Sequence, residues 1–268
     1  MLLLGYLLAR SCEGDMREKI RQAKLRLLKM HFESGVGHIG GNLSCLDLLM
    51  YLHHRVMKAE DVFVLSKGHS AGALYVTLWS MGRLKDEDLA RFHGDGSMLA
   101  GHPPPNWIPE IRFATGSLGH GLSLSAGIAL AKRLKGEPGK VYCLLSDGEW
   151  NEGSTWEALI FISHQKLDNL TLIVDSNGLQ GFGTTKEVAD LGSLSDKLRS
   201  FSLRVDEIDG HDVDSIAEAF SNAPVGPRAI VARTRKGNGV SFMENAMEWH
   251  YLPMSEELYM QAMKEVGG

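Results

Sequence analysis

Apolar and polar positions follow two periods along this chain. Within residues 15–34, Ile20, Leu27, Leu28 and Met30 recur at roughly helical spacing among basic residues, which predicts an amphipathic helix. Gly35, Gly37, Gly40 and Gly41 predict its end, and Ser44 followed by Asp47 has the form of a capping box opening a second helix over 45–57. The apolar run Val62-Phe63-Val64-Leu65 reads as a short buried strand that enters a glycine-containing turn. From residue 141 onward the rhythm is βαβ. Strands are predicted at 141–145, 170–174, 203–208 and 229–232, with helical stretches such as 155–166 and 214–220 between them. A closing helix over 255–266 places Leu258, Met260, Met263 and Val266 on an apolar face that covers the chain's own core. The expected fold is α/β: a doubly wound, mostly parallel sheet flanked by helices. In such sheets ligands sit outside the carboxyl ends of the strands, so the residues just after each strand are the first candidates.

Composition narrows the picture. A chain of 268 residues with 44% hydrophobic content can bury one sizeable core, and no repeat, low-complexity tract or polar linker marks a boundary, so residues 1–268 are expected to form a single domain. A net charge of -5 gives no surface of the kind that neutralises a phosphate backbone, which excludes nucleic acid as a partner. Cys12, Cys45 and Cys143 form no CxxC pair and leave an odd thiol, which fits a reducing cytoplasm. Residues 1–9, MLLLGYLLA, have the apolarity of a signal peptide. They lack a basic leader, meet Arg10 early and are too short to span a membrane, so they are expected to begin a packed or partner-facing helix.

Candidate chemistry gathers at the strand ends. Ser146-Asp147-Gly148-Glu149 follows one predicted strand, and Asp175-Ser176-Asn177-Gly178-Leu179 follows the next after one crossover helix. If those strands are neighbours they lie about 4.8 Å apart, and Asp147 and Asn177 converge on one crevice. A carboxylate, an amide oxygen and a nearby backbone carbonyl suit Mg²⁺, which takes its other ligands from phosphate and water. Gly148 would let backbone approach a diphosphate, with the N-terminus of the following helix aimed at it. Taken singly, Asp147-Gly148 and Asn177-Gly178 are ordinary turns; their joint placement points to a metal-diphosphate site.

The eleven histidines show no zinc-like spacing. Several lie in glycine-containing loops: His38, His69, His102, His120 and His250. Imidazoles suit a site that handles sugar hydroxyls, because they donate and accept hydrogen bonds and move protons near neutral pH. A loop histidine bonded to backbone is as good a reading for any one of them, and it is the reading taken for His53, His54, His93, His164 and His211.

The run from Ser146 through Trp156-Glu157-Ala158 to Leu167-Asp168-Asn169-Leu170 and Asp175-Ser176-Asn177 resembles the thiamine-diphosphate motif of transketolases. The resemblance extends over about residues 17–250 with the order of motifs kept. It implies the pyrophosphate-binding (PP-type) domain of a thiamine-diphosphate fold, with Asp147, Asn177 and the backbone oxygen of Leu179 on Mg²⁺. Gly148 would hold the diphosphate, Glu152 would support the cofactor and a subunit contact, and Gly116, Ser117 and Leu118 would pack against the aminopyrimidine. His69 and His250 match residues near the diphosphate, and His38 and His102 match residues facing the sugar. The implied activity is transfer of a glycolaldehyde unit from a ketose phosphate to an aldose phosphate. The activating Glu of the family belongs to a pyrimidine-binding domain beyond the matched region. The resemblance therefore implies a split enzyme completed by a C-terminal, pyrimidine-domain subunit, with two copies of each chain. Ser146, His120 and Tyr251 depart from the usual Gly, Gln and Gly, and at the latter two the resemblance does not carry the family's detailed sugar specificity over. The α subunit of a 2-oxo acid dehydrogenase, a deoxyxylulose-phosphate-synthase-like enzyme and a non-catalytic module with this fold are the alternatives; the Gly68-His69 and Gly101-His102-Pro103 loops favour transketolase.

Overall fold

The computed structural model describes the backbone of residues 2–105, 107–221 and 226–268, with side chains described from residue 14 onward in those ranges. Its sheet contains β1 (Val62–Leu65), β2 (Val141–Ser146), β3 (Leu170–Ser176), β4 (Arg204–Asp209) and β5 (Arg228–Arg233), in the order β1-β2-β3-β5-β4, and every pairing is parallel. The helices are α1 (Leu2–Ser34), α2 (Ile39–Tyr51), α3 (Ala71–Ser80), α4 (Asp86–Leu89), α5 (Gly121–Lys135), α6 (Gly153–Gln165), α7 (Thr185–Ala189), α8 (Leu194–Ser200), α9 (Val213–Ser221) and α10 (Glu256–Gly267).

Strand side chains alternate between two cores. Val62, Val64, Val141, Cys143, Leu145 and Leu172 pack with α5, α6 and α8, whereas Phe63, Leu65, Tyr142, Leu144, Ile173 and Ala232 pack with α1, α2, α3, α9 and α10. Covering both faces is why the inner strands read as unbroken apolar runs. Truncating one such side chain, as in Leu172→Ala, would cost about 2–5 kcal/mol through lost transfer energy and the cavity left behind. The edge strand β4 differs: Arg204, Asp206, Glu207 and Asp209 leave it charged, which discourages pairing with another chain.

Departures from the sequence reading have local causes. The second helix starts at Ile39, so Gly40 and Gly41 lie in its first turn and do not end α1. Packing explains Gly40, where a Cβ would stand 3.1 Å from Lys236 Cγ; one on Gly41 would meet the His69 ring at 3.6 Å, an ordinary contact. Ser44 is therefore inside α2 and caps nothing; its hydroxyl donates to Asp175 at 2.6 Å. The helix continues beyond Tyr51 as a π turn, Leu52–Val56. In α10 the inward aromatic is Tyr259, stacked on Phe32 with centroids 4.3 Å apart, while Met260 points outward. The packing of residues 1–9, and Cys12, lie outside the described residues. Cys45 and Cys143 are buried free thiols. Among the described residues no helix is long and apolar enough to cross a membrane.

Candidate functional site

Strands β2 and β3 are parallel neighbours with Ser146 opposite Asp175, so Asp147 and Asn177 leave the sheet side by side. The Asp147 carboxylate accepts from the backbone N–H of Gly148 at 2.8 Å and of Gly178 at 2.6 Å. Burial, reinforced by the charge of Asp175, pushes its pKa up to about 6. The Asn177 amide donates to Asp175 Oδ2 at 3.3 Å, while its Oδ1 accepts from Leu179 N at 3.1 Å. This turns the amide oxygen toward the Leu179 side. Leu179 opens a small hairpin closed by a bridge to Thr184 and by Gln180 N donating to Gly183 O at 2.8 Å. Asp147 and Gly178 also line a cavity of about 240 Å³. Among the described residues no cluster of three His, Cys, Asp or Glu could hold a metal; a hard cation here would depend on one carboxylate, an amide and a carbonyl.

A buried network underlies this pair. Asp175 accepts from the ammonium of Lys67 and from the hydroxyls of Ser44 and Thr234. Burial works against the charge on Asp175, but Lys67 beside it holds the carboxyl below its usual range, and Asp175 in turn holds Lys67 above its own. Sequence reasoning missed this network. The available signal was Lys67 itself, a cation placed between Ser66 and Gly68 immediately after β1.

Four of the predicted histidines meet. His38, in the left-handed region at φ 67 where α2 begins, has its ring centroid 5.8 Å from His69, 5.8 Å from His102 and 5.1 Å from His250. His69 and His250 are 5.6 Å apart. Burial first, and neighbouring histidines and lysines second, lower His38 to about 4 and His250 to about 3, with His69 well below its usual value; burial and then His93 also lower His102. All four are neutral at physiological pH, each with one ring donor and one acceptor. Lys236 was also missed, although it lies just past β5. Its Nζ is 2.9 Å from His250 Nδ1, and burial followed by Lys67 lowers it to about 8.

Two positions without side chains let the loops touch. A Cβ on Gly68 would lie 2.5 Å from the Thr115 carbonyl carbon, and one on Gly116 would lie 2.7 Å from His102 Cδ2. Glu149 fastens this loop: it accepts from the Ser66 hydroxyl, from Gly119 N at 3.1 Å and from Ser146 N at 2.9 Å. Glu152, the carboxylate singled out from sequence, is exposed at the N-cap of α6, with its Cβ against Gly119. Gly148 opens a 3-10 turn ahead of α6. His120 is exposed and its Nδ1 faces the carbonyls of Ser117 and Leu118 at 3.2 and 3.1 Å. His211 lies outside the cluster and braces the exit from β5, between Asp47 at 2.7 Å and Arg235 N at 2.8 Å.

A parallel α/β sheet carrying an Asp–Asn crevice and a cage of neutral histidines at its strand ends has the form of a cofactor-dependent group-transfer site. Residues 20–268 match the family "Transketolase, thiamine diphosphate binding domain", and the chain belongs to that family. It is 39% identical over 253 residues to one subunit of the apulose-4-phosphate transketolase of Phocaeicola vulgatus, covering 90% of each chain. It is 38% identical over 244 residues to the 6-deoxy-6-sulfo-D-fructose transketolase subunit SqwG of a Clostridium species, covering 87% of this chain and 89% of that one. The crystal structure of Campylobacter jejuni transketolase superposes with a TM-score of 0.86 at 28% identity, covering 94% of this chain. The chain spans 42% of that longer protein.

Proposed function

We propose that residues 1–268 form one pyrophosphate-binding unit of a transketolase, which transfers a glycolaldehyde unit from a ketose phosphate to an aldose phosphate with thiamine diphosphate and Mg²⁺. The observation that carries this reading is the meeting of His38, His69, His102 and His250 at ring separations of 5.1–5.8 Å, next to the Asp147–Asn177 crevice. The residues fit the cofactor and its metal. Asp147 is a carboxylate that burial leaves short of a neutralising charge, Asn177 has its amide oxygen turned outward from Asp175, and the buried hydroxyl of Thr115, beside Gly116, has no hydrogen-bond partner among the described residues.

In this reading Asp147, Asn177 and the Leu179 carbonyl hold Mg²⁺. Gly148, His69, His250 and Lys236 receive the diphosphate, and the backbone of Gly116, Ser117 and Leu118 packs on the aminopyrimidine. Glu152, exposed on the surface, supports the cofactor from a subunit contact. Bound thiamine diphosphate supplies the nucleophilic carbon and the electron sink for the two-carbon fragment. His38 and His102 face the sugar. As neutral imidazoles they donate to a substrate carbonyl and accept from its hydroxyls without adding charge beside Lys236 and Lys67.

A pyrimidine-domain subunit completes the site, with two copies of each chain in a cytoplasmic assembly. One observation supports a partner: a relative matched over 90% of both chains is named as one subunit of a transketolase. The test is co-expression with that partner and assay of transfer from xylulose 5-phosphate to ribose 5-phosphate. Transfer that needs both chains and is lost in Asp147→Ala supports the reading; cofactor binding without transfer redirects it to other sugar phosphates.

A further inference from the structure

The hydroxyl of Tyr251 donates to the carbonyl of Gly181 at 2.8 Å. Gly181 lies at the tip of the hairpin that starts with Leu179, between Gln180 and the exposed Phe182. The base of Tyr251 is fixed elsewhere. Its ring packs edge-on against His250 with centroids 4.7 Å apart, and its backbone lies so near Gly37 that a Cβ there would stand 2.5 Å from the Tyr251 carbonyl oxygen. His38 N also donates to His250 O at 3.1 Å. Tyr251 thus spans from the histidine cluster to the segment that carries Leu179.

We propose that Tyr251 is a positioning residue for the metal: its phenol ties the Leu179 hairpin to the histidine cluster and so sets the Leu179 carbonyl and the Asn177 amide for a divalent cation. This rests on the reading of Asp147, Asn177 and Leu179 as the Mg²⁺ site. The hairpin has a second tether on the β2 side, where Gln180 Nε2 donates to Asn151 Oδ1 at 2.6 Å. With the phenol removed, the tip is held from that side alone, and ordering the carbonyl becomes part of the cost of binding the metal. Gly181 suits the contact, because a Cβ there would lie 2.6 Å from the phenol oxygen.

The test uses the full chain reconstituted with its pyrimidine-domain partner and saturated with thiamine diphosphate, with Mg²⁺ titrated in by calorimetry. Tyr251→Phe keeps the ring on His250 and removes only the hydroxyl. It is expected to weaken Mg²⁺ binding about fivefold, the size of one hydrogen bond, with kcat at saturating Mg²⁺ within about twofold of the unsubstituted enzyme. Gly181→Ala, which displaces the phenol, is expected to give the same shift. A Tyr251→Phe titration that superimposes on the unsubstituted one overturns the proposal, as does a fall in kcat at saturating Mg²⁺ with no change in affinity. Absence of Mg²⁺ binding in the unsubstituted complex overturns the metal site itself, and the tether with it.

Discussion

Nζ of Lys236 and Nδ1 of His250 lie 2.9 Å apart, and this contact sets the tautomer of the imidazole. A protonated Lys236 can only donate, so Nδ1 accepts and Nε2 carries the ring proton. With its pKa lowered to about 8, the lysine loses that proton as pH rises through about 8, and the constraint on His250 is released. In the cofactor-free chain, ¹⁵N spectra of His250 are expected to change near that pH, and the change should be absent in Lys236→Met. The same variant is expected to bind thiamine diphosphate roughly 10- to 100-fold more weakly, from loss of a charge-assisted hydrogen bond. Unchanged affinity in a fluorescence titration would remove Lys236 from the site.

Lys67 and Asp175 are both essentially inaccessible, with side chains 1% and 0% exposed. Removing one member of such a pair leaves an uncompensated buried charge and costs about 3–5 kcal/mol. Urea unfolding of Lys67→Met and of Asp175→Asn should each show a loss of this size. The double variant should be more stable than the sum of the two losses implies, because neither charge is then stranded. Additive losses would mean that the two groups are held independently, Lys67 by the Gly41 carbonyl and Asp175 by the hydroxyls of Ser44 and Thr234.

Stability is expected to fall with acid for a reason separate from the site. Burial lowers both His31 and His53 to about 4 from an unfolded value of 6.5. Between those values the unfolded chain binds protons that the folded chain does not, so stability rises with pH across this window. The contribution is fully present above pH 6.5 and is lost as pH falls toward 4. Each histidine accounts for on the order of 3 kcal/mol. Chemical denaturation at stepped pH should show the slope, and His53→Gln should make it shallower; an identical slope in that variant would place the acid sensitivity elsewhere.

Much of this was legible in sequence because the physics is local. Strands covered on both faces must be continuous apolar runs, so β1, β2, β3 and β5 were recognisable, and the spacing from β2 to β3 set Asp147 beside Asn177. His38, His69, His102 and His250 were marked by the glycines that let their loops pack closely. The support beneath them was hidden because its parts are distant along the chain: Ser44 and Asp175 are 131 residues apart. Gly40 and Gly41 misled in the opposite direction: both lie in the first turn of α2, and at Gly40 the close approach of Lys236 outweighs the residue's value as a helix breaker. The hold of Glu149 on the Gly119 backbone was hidden by distance along the chain, since the two are 30 residues apart.

Gly116 offers a test that separates site geometry from stability. Its φ of +143 lies in a region close to glycine-only, and a Cβ would stand 2.7 Å from His102 Cδ2. The backbone strain in Gly116→Ala is worth about 1–3 kcal/mol. His102 is exposed at the rim, so the ring can move outward to relieve the collision, which displaces a group read as facing the sugar. The expected outcome is a loss in kcat/KM of roughly 10- to 100-fold, with a fall in Tm of a few degrees. Gly127 in α5 is the internal contrast: a Cβ there meets nothing within 4 Å among the described residues. Gly127→Ala should gain up to about 1 kcal/mol from helix propensity and leave kcat/KM unchanged. Initial rates and thermal unfolding of the two variants decide the matter. Wild-type kcat/KM in Gly116→Ala would detach the Gly116–Leu118 loop from catalysis, whereas lost activity at nearly native stability ties the placement of His102 to that loop.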